Sequence, residues 1–257
     1  MNRLTKLFQE KDHNILNVYC TAGYPKLNSI NNVLLALQQS KVDIVEVGIP
    51  YSDPIADGPV IQKSNMIALN NGISISLLFN QLQNCRNNFH LPLILMGYLN
   101  PVMQYGFEKF CMEAKKIGAD GIILPDLPIY EFEKEYSHYL KKNDLHFIFL
   151  ITPETSEKRI RKIDELSTGF IYAVSSSSTT GSKDVESHQM NDYLERIKKM
   201  KLKNPVLVGF GIKDKKSFQS ASEFSNGAII GSAYINELQK GDDIELLTQK
   251  FIASILS

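Results

Sequence analysis

Eight short runs of apolar, β-prone residues recur along the chain at intervals that single helices would fill. This spacing constrains the fold more than any other feature. The runs are ILNVYCTAG (15–23), VDIVEVG (42–48), PLILMGY (92–98), ADGIILPD (119–126), HFIFLIT (146–152), GFIYAVS (169–175), PVLVGFG (205–211) and GAIIGSAY (227–234). Strands this continuously apolar suit a parallel sheet buried on both faces, since alternation is needed only where one face meets water. Segments of helical periodicity, such as SINNVLLALQQS, GFEKFCMEAKKIG and SEKRIRKIDELS, lie between them, and DDIELLTQKFIASIL closes the chain. Most starts are about 22 to 36 residues apart, the length of a repeated βα unit, while the interval after the second run is near 50. The expectation is an α/β fold: one (β/α)₈ TIM barrel over residues 1–257, with an extra N-terminal helix and an insertion after strand two. An open doubly wound sheet is the alternative. It is weakened because no G-x-G-x-x-G opens a helix after the first run.

Composition removes several classes of partner. The chain has 257 residues, with 28 basic and 28 acidic side chains, so no net charge draws it to nucleic acid or to an anionic membrane. The N-terminal stretch MNRLTKLFQEKDHN is charged throughout and lacks a signal-peptide core, and no run is long enough to cross a bilayer. Cys20, Cys85 and Cys111 are odd in number and lack metal-ligand spacing, as do the scattered histidines. Reduced thiols, a cytoplasmic location and no metal are expected.

The second run leads into VEVGIPYSDPIADGPVIQ (45–62), which places Glu46, Asp53 and Asp57 where a buried strand becomes a rigid loop. Barrel active sites lie at the C-terminal ends of the strands, so this stretch reads as catalytic rim stiffened by Pro50, Pro54 and Pro59. Asp53 precedes a proline and suits turn chemistry. Glu46, between Val45 and Val47, would be desolvated inside a barrel, and its pKa would rise toward the range general acid–base work requires. Three small-residue strand ends form a second constellation: SSSSTTGS (175–182), GFGI (209–212) and GSAY (231–234). Small residues let backbone N–H groups approach an anion, and the last two loops are the usual phosphate site of such barrels. With no Walker-type loop, a phosphate monoester is the expected ligand.

Taken together, VEVGIPYSDPIADGPVIQ, MGYLNPV (96–102), ILPDLP (123–128), TTGS, GFGI and GSA resemble the tryptophan synthase α subunit family, in order and across nearly the whole chain. The resemblance implies a TIM barrel lyase of tryptophan biosynthesis. It would cleave indole-3-glycerol phosphate to indole and D-glyceraldehyde 3-phosphate. Indole would then pass to a pyridoxal-phosphate β subunit in an α₂β₂ heterotetramer, with no cofactor in this chain. Glu46 and Asp57 fall on the family's two catalytic carboxylates. Gly181, Gly211, Gly231 and Ser232 match its phosphate site, and Tyr19, Tyr172 and Phe210 the surroundings of the indole. Asn100, Pro101, Asp126, Leu127 and Pro128 would meet the β subunit.

One departure stands out. SSSSTTGS replaces an S-R-A-G-V-T-G run found in many relatives, with Ser176 in place of a basic residue and Ser178 in place of a glycine. The resemblance makes this loop a lid, so closure is expected to differ here. A stand-alone lyase releasing free indole would share every catalytic residue and is the alternative function. A non-catalytic activating subunit would have no use for both Glu46 and Asp57.

Overall fold

The computed structural model of the chain describes residues 1–174 and 183–257, the side chains of 183–189 excepted. Its strands are β1 (Ile15–Thr21), β2 (Ile44–Gly48), β3 (Leu93–Met96), β4 (Gly121–Ile123), β5 (His146–Phe147), β6 (Phe149–Ile151), β7 (Ile171–Ala173), β8 (Val206–Val208) and β9 (Gly227–Ile230). Every pairing is parallel, in the order β5-β4-β3-β2-β1-β9-β8-β7-β6. The two ends of that order, β5 and β6, are adjoining halves of the fifth apolar run. Ile148 lies between them and donates its N–H to Ile122 O at 3.1 Å. The first half pairs with β4 and the second with β7, so the sheet closes into a barrel through this one stretch. The eight expected strands therefore count as nine. Barrel closure staggers the neighbours along the run, and its pairing passes from one side to the other at Ile148.

The core divides into two, as a barrel requires. Inside lie Ile15, Ile44, Ile94, Ile123, Ile148, Phe170, Leu207 and Ile229, one from each apolar run. A larger cluster fills the space between strands and helices, and the flanking valines of Glu46 belong to it. The expected N-terminal helix is Arg3–Glu10, capped by Asn2, whose Oδ1 accepts Leu4 N–H at 2.9 Å. Leu4 joins the interior cluster, so this helix plugs the amino-terminal end of the barrel. It is anchored there by Asp120, whose carboxylate accepts Arg3 N–H at 3.0 Å, Leu93 N–H at 3.0 Å and Arg86 Nη2–H at 3.1 Å.

The long interval after the second run holds two helices, Pro59–Asn70 and Ile75–Cys85. Proline at the first helical position of the former needs no N–H partner and starts the helix immediately after the carboxylate loop. The helix Lys183–Met200 ends inside the lysine-rich stretch 198–204, whose Lys198, Lys199 and Lys201 are exposed.

Candidate active site

At the carboxyl-terminal ends of the strands a cavity of about 410 Å³ opens between β1, β2, β7, β8 and β9. Tyr19, Glu46, Asp57, Tyr172, Phe210, Gly211, Gly231 and Ser232, scattered over more than two hundred positions of sequence, all line it. Gly181 and the Ser176 and Ser178 departures lie outside the described residues.

Glu46 sits in the middle of β2, opposite Tyr19 of β1 and Ile94 of β3. Side chains of a strand alternate, so valines facing the outer core put the carboxyl into the barrel interior. It is fully buried. Oε2 accepts Asn17 Nδ2–H at 3.1 Å, while Oε1 has no hydrogen-bond partner among the described residues. Burial raises its pKa to about 8 against the lowering hydrogen bond from Asn17, and the nearby Asp57 charge adds to the rise. At neutral pH this carboxyl is mostly an acid.

Asp57 lies in the loop that follows, half-buried, with Oδ2 accepting the Tyr98 hydroxyl at 3.1 Å. Burial lifts its pKa to about 6, against the lowering bond from Tyr98. It remains largely ionised at pH 7. Two carboxyls at one cavity are thus held in different protonation states by their surroundings, the pattern of an acid and a charged stabiliser. Asp53 is exposed and sits in a turn, where its carbonyl accepts Ile55 N–H at 2.9 Å.

Two tyrosines wall the cavity, and glycines make room for them. A Cβ on Gly48 would lie 2.0 Å from the Tyr19 hydroxyl, and one on Gly209 only 1.9 Å from the Tyr172 ring. Any larger residue at either position would displace the phenol. Phe210 is half-buried beside Gly211. Gly231 immediately precedes the short helix Ser232–Glu237, whose first N–H groups have no partner within the helix. Lys213 also lines this end and adds a positive charge that the glycine pattern did not reveal. Its only sequence signal is adjacency to GFGI.

Asn17 and Tyr98 were likewise missed. A lone amide in an apolar run was the available sign for Asn17. Nothing local marked Tyr98, which is distant from Asp57 in sequence. Of the five residues read as an interface, Asn100, Asp126 and Pro128 are exposed and Pro101 is half-buried. Leu127 is different: at 5% exposure it packs into the outer core, so the apolar tract LPDLP presents Asp126 and Pro128 instead. The Asp126 carboxylate accepts Leu99 N–H at 2.9 and 3.0 Å, which joins the two tracts. Asn100 Nδ2 donates to the Tyr51 hydroxyl at 3.1 Å, and the Tyr51 ring lies 5.3 Å from that of Tyr98. The exposed tract is therefore in contact with the group that holds Asp57.

No group of three or more His, Cys, Asp or Glu among the described residues could hold a metal ion. No helix among them is long and apolar enough to cross a membrane.

A closed parallel barrel with two differently poised carboxyls at the carboxyl ends of its strands defines a (β/α)₈-barrel enzyme of the acid–base kind. Comparison with known proteins narrows the class. The family model described as tryptophan synthase alpha chain matches residues 5–255. The tryptophan synthase alpha chain of Parabacteroides distasonis is 53% identical over 239 residues, covering 93% of each chain. That of Flavobacterium johnsoniae is 48% identical over 99% of this chain and 100% of its own. A structure of a mutant tryptophan synthase alpha subunit from Pyrococcus furiosus superposes with a TM-score of 0.86 at 34% identity, covering 96% of this chain and 99% of its own. An aminoacrylate-bound tryptophan synthase from M. tuberculosis gives 0.85 at 28% identity, covering 99% of this chain and 100% of its own. This chain belongs to the tryptophan synthase alpha chain family.

Proposed function

We propose that the chain cleaves indole-3-glycerol phosphate by a retro-aldol reaction, giving indole and D-glyceraldehyde 3-phosphate, with Glu46 and Asp57 as its catalytic groups. The observation that carries the residue assignment is the buried, mostly protonated Glu46 carboxyl. Glu46, whose Oε1 has no partner among the described residues, lines a cavity that also holds the ionised Asp57.

The chemistry follows from these two states. Glu46 as the acid gives its proton to C3 of the indole, which places positive charge on the ring nitrogen. The Asp57 carboxylate accepts the ring N–H bond and stabilises that charge where it develops. Glu46, now a carboxylate, takes the proton from the hydroxyl on the adjoining side-chain carbon. The carbon–carbon bond then breaks. Its electron pair returns to the ring, restoring the aromatic indole, while the oxygen becomes the aldehyde carbonyl. The acid is regenerated and nothing is oxidised.

Gly211, Gly231 and Ser232, with Lys213, hold the phosphate, so remote binding energy positions the reacting bond. Gly181 is assigned to the same anchor. Tyr19, Tyr172 and Phe210 enclose the indole ring. All the steps draw on side chains and backbone of this chain alone.

Membership of the alpha chain family implies a β-subunit partner. We extend this to an α₂β₂ tryptophan synthase in the cytoplasm. Its β subunit carries pyridoxal phosphate and receives the indole across a surface that includes Asn100, Pro101, Asp126 and Pro128. Leu127 supports that surface from beneath. The stand-alone lyase has no observation in its favour. The test is indole release from indole-3-glycerol phosphate as a tryptophan synthase β subunit is titrated in. Release that rises with β subunit is the expected result, and release indifferent to it would remove the partner.

A further inference from the structure

Glu46 has to serve as acid and then as base within one turnover. A protonated carboxyl keeps a carbonyl oxygen that accepts, so a fixed donor beside it is compatible with both states and favours the second. Among the described residues, the one hydrogen-bonded neighbour of its carboxyl is such a donor. Asn17 stands on β1 two residues before Tyr19, on the same interior face, and is fully buried. Its Nδ2 donates to Glu46 Oε2 at 3.1 Å, and its own Oδ1, equally buried, has no partner among the described residues. Buried polar atoms are rarely left unpaired, because each costs free energy unless something in the functional cycle satisfies it. With Nδ2 on Oε2, the proton of the acid is left to Oε1, the carboxyl oxygen with no partner among the described residues.

We propose that Asn17 is a positioning residue of the reaction, its Nδ2 held on Oε2 through the cycle so that the transferred proton is carried by Oε1. Nδ2 donates to the carbonyl oxygen of the acid and to the carboxylate alike. This rests on the acid–base role of Glu46 given above. The amide touches no substrate atom. It keeps the carboxyl in one place through both proton transfers and favours the charged form, since a hydrogen bond to an ion is about twice as strong as one between neutral groups.

Other groups around Glu46 respond differently to pH. Among the described residues, Asp57 from the following loop, Tyr19 and Cys20 from β1, Tyr172 from β7 and Lys213 at the cavity share its surroundings, and its neighbour on β3 is the apolar Ile94. Burial holds both phenols well above their ordinary range and pushes the Cys20 thiol up, while Asp57 titrates near 6. An alkaline limb near pH 8 in kcat/KM therefore reports Glu46.

The experiment is the pH profile of indole formation in wild type, Asn17→Leu, Asn17→Ser and Glu46→Gln, each measured with β subunit present. Leucine removes donor and acceptor together. The expected result is a kcat lower by at least ~10-fold with KM for indole-3-glycerol phosphate held, and an alkaline limb displaced to higher pH. The displacement follows because the lost bond favoured the ionised form. Serine, whose hydroxyl both donates and accepts, should give an intermediate kcat and a smaller displacement in the same direction, and it decides the matter if the leucine variant does not fold. In the wild type the Asn17 side-chain amide resonances should shift with pH through the midpoint of that limb, and in Glu46→Gln they should not. A limb that stays at the wild-type pH in both Asn17 variants would overturn the proposal, making Asn17 a filler of the barrel. Full activity in Glu46→Gln would instead remove the reading of Glu46 itself.

Discussion

The Tyr98 hydroxyl holds the carboxylate loop at two adjacent points: it donates to Asp57 Oδ2 at 3.1 Å and accepts Ala56 N–H at 3.0 Å. One side chain thus fixes both the position and the charge of Asp57. Replacing Tyr98 by Phe keeps the ring against Tyr51 and removes both bonds. A hydrogen bond to a charged group is worth enough that kcat should fall by about 10-fold or more. Because the Tyr98 bond lowers the pKa of Asp57, its loss lets that pKa rise. Activity needs the carboxylate, so the acid limb of kcat/KM, near pH 6 in the wild type, should move up. A limb that stays in place would mean that Tyr98 does not set the Asp57 charge.

Glu46 should cost the fold stability. Its folded pKa, about 8, lies above the ordinary carboxylate value of 4.5, so between those pH values the native state binds the proton that the unfolded chain has released. Stability contributed at this position is full below pH 4.5 and falls as pH rises through that window. Glu46→Gln carries no such dependence. At pH 7 it should be more stable than the wild type by about 1–3 kcal/mol, an advantage that shrinks toward pH 4.5. Denaturant unfolding at several pH values measures this, and a variant less stable at every pH would contradict it.

The opposite end of the barrel should behave in the opposite way. Asp120 is 2% exposed and holds Arg86, the N-terminal helix and the start of β3 together. Asp120→Ala leaves the Arg86 guanidinium buried without its counter-charge, a loss of about 3–5 kcal/mol. Thermal unfolding should fall by roughly 10 °C for a chain of this length. Below that temperature kcat and KM should match the wild type, since stability and catalysis occupy opposite faces of such barrels. A changed kcat at full folding would break that separation.

The phosphate end is tested by KM. At Gly231 an added Cβ would meet only ordinary contacts, with Ile61 at 3.5 Å and Tyr19 at 3.7 Å, so Gly231→Asp should fold. Its carboxylate would stand where an anion is to bind. KM for indole-3-glycerol phosphate should rise by at least ~10-fold, and Lys213→Ala should raise it by a smaller factor. An unchanged KM in both would move the phosphate elsewhere.

The parts of this molecule that were legible in sequence are those that neighbours in the chain determine. Apolar runs at βα spacing give the strands, and Glu46 between two valines gives a buried carboxyl. What escaped depends on residues brought together only by closing the barrel. The fifth run breaks at Ile148 because its two sides pair with strands of different stagger. Leu127 sits among exposed residues yet turns into the outer core. Tyr98 reaches Asp57 across 41 positions, and Asn17 reaches Glu46 across 29. No local pattern encodes either meeting.

The most direct measurement is indole formation by Glu46→Gln and Asp57→Asn beside the wild type, with β subunit present and indole-3-glycerol phosphate saturating. Glutamine keeps the shape and loses the transferable proton, and asparagine loses the charge that offsets the cationic ring. Both should retain substrate binding and lose at least ~10²-fold in kcat, while Asp53→Asn remains close to the wild type. Turnover near the wild-type rate in Glu46→Gln, or a heavier loss in Asp53→Asn than in Asp57→Asn, would contradict the two-carboxyl site.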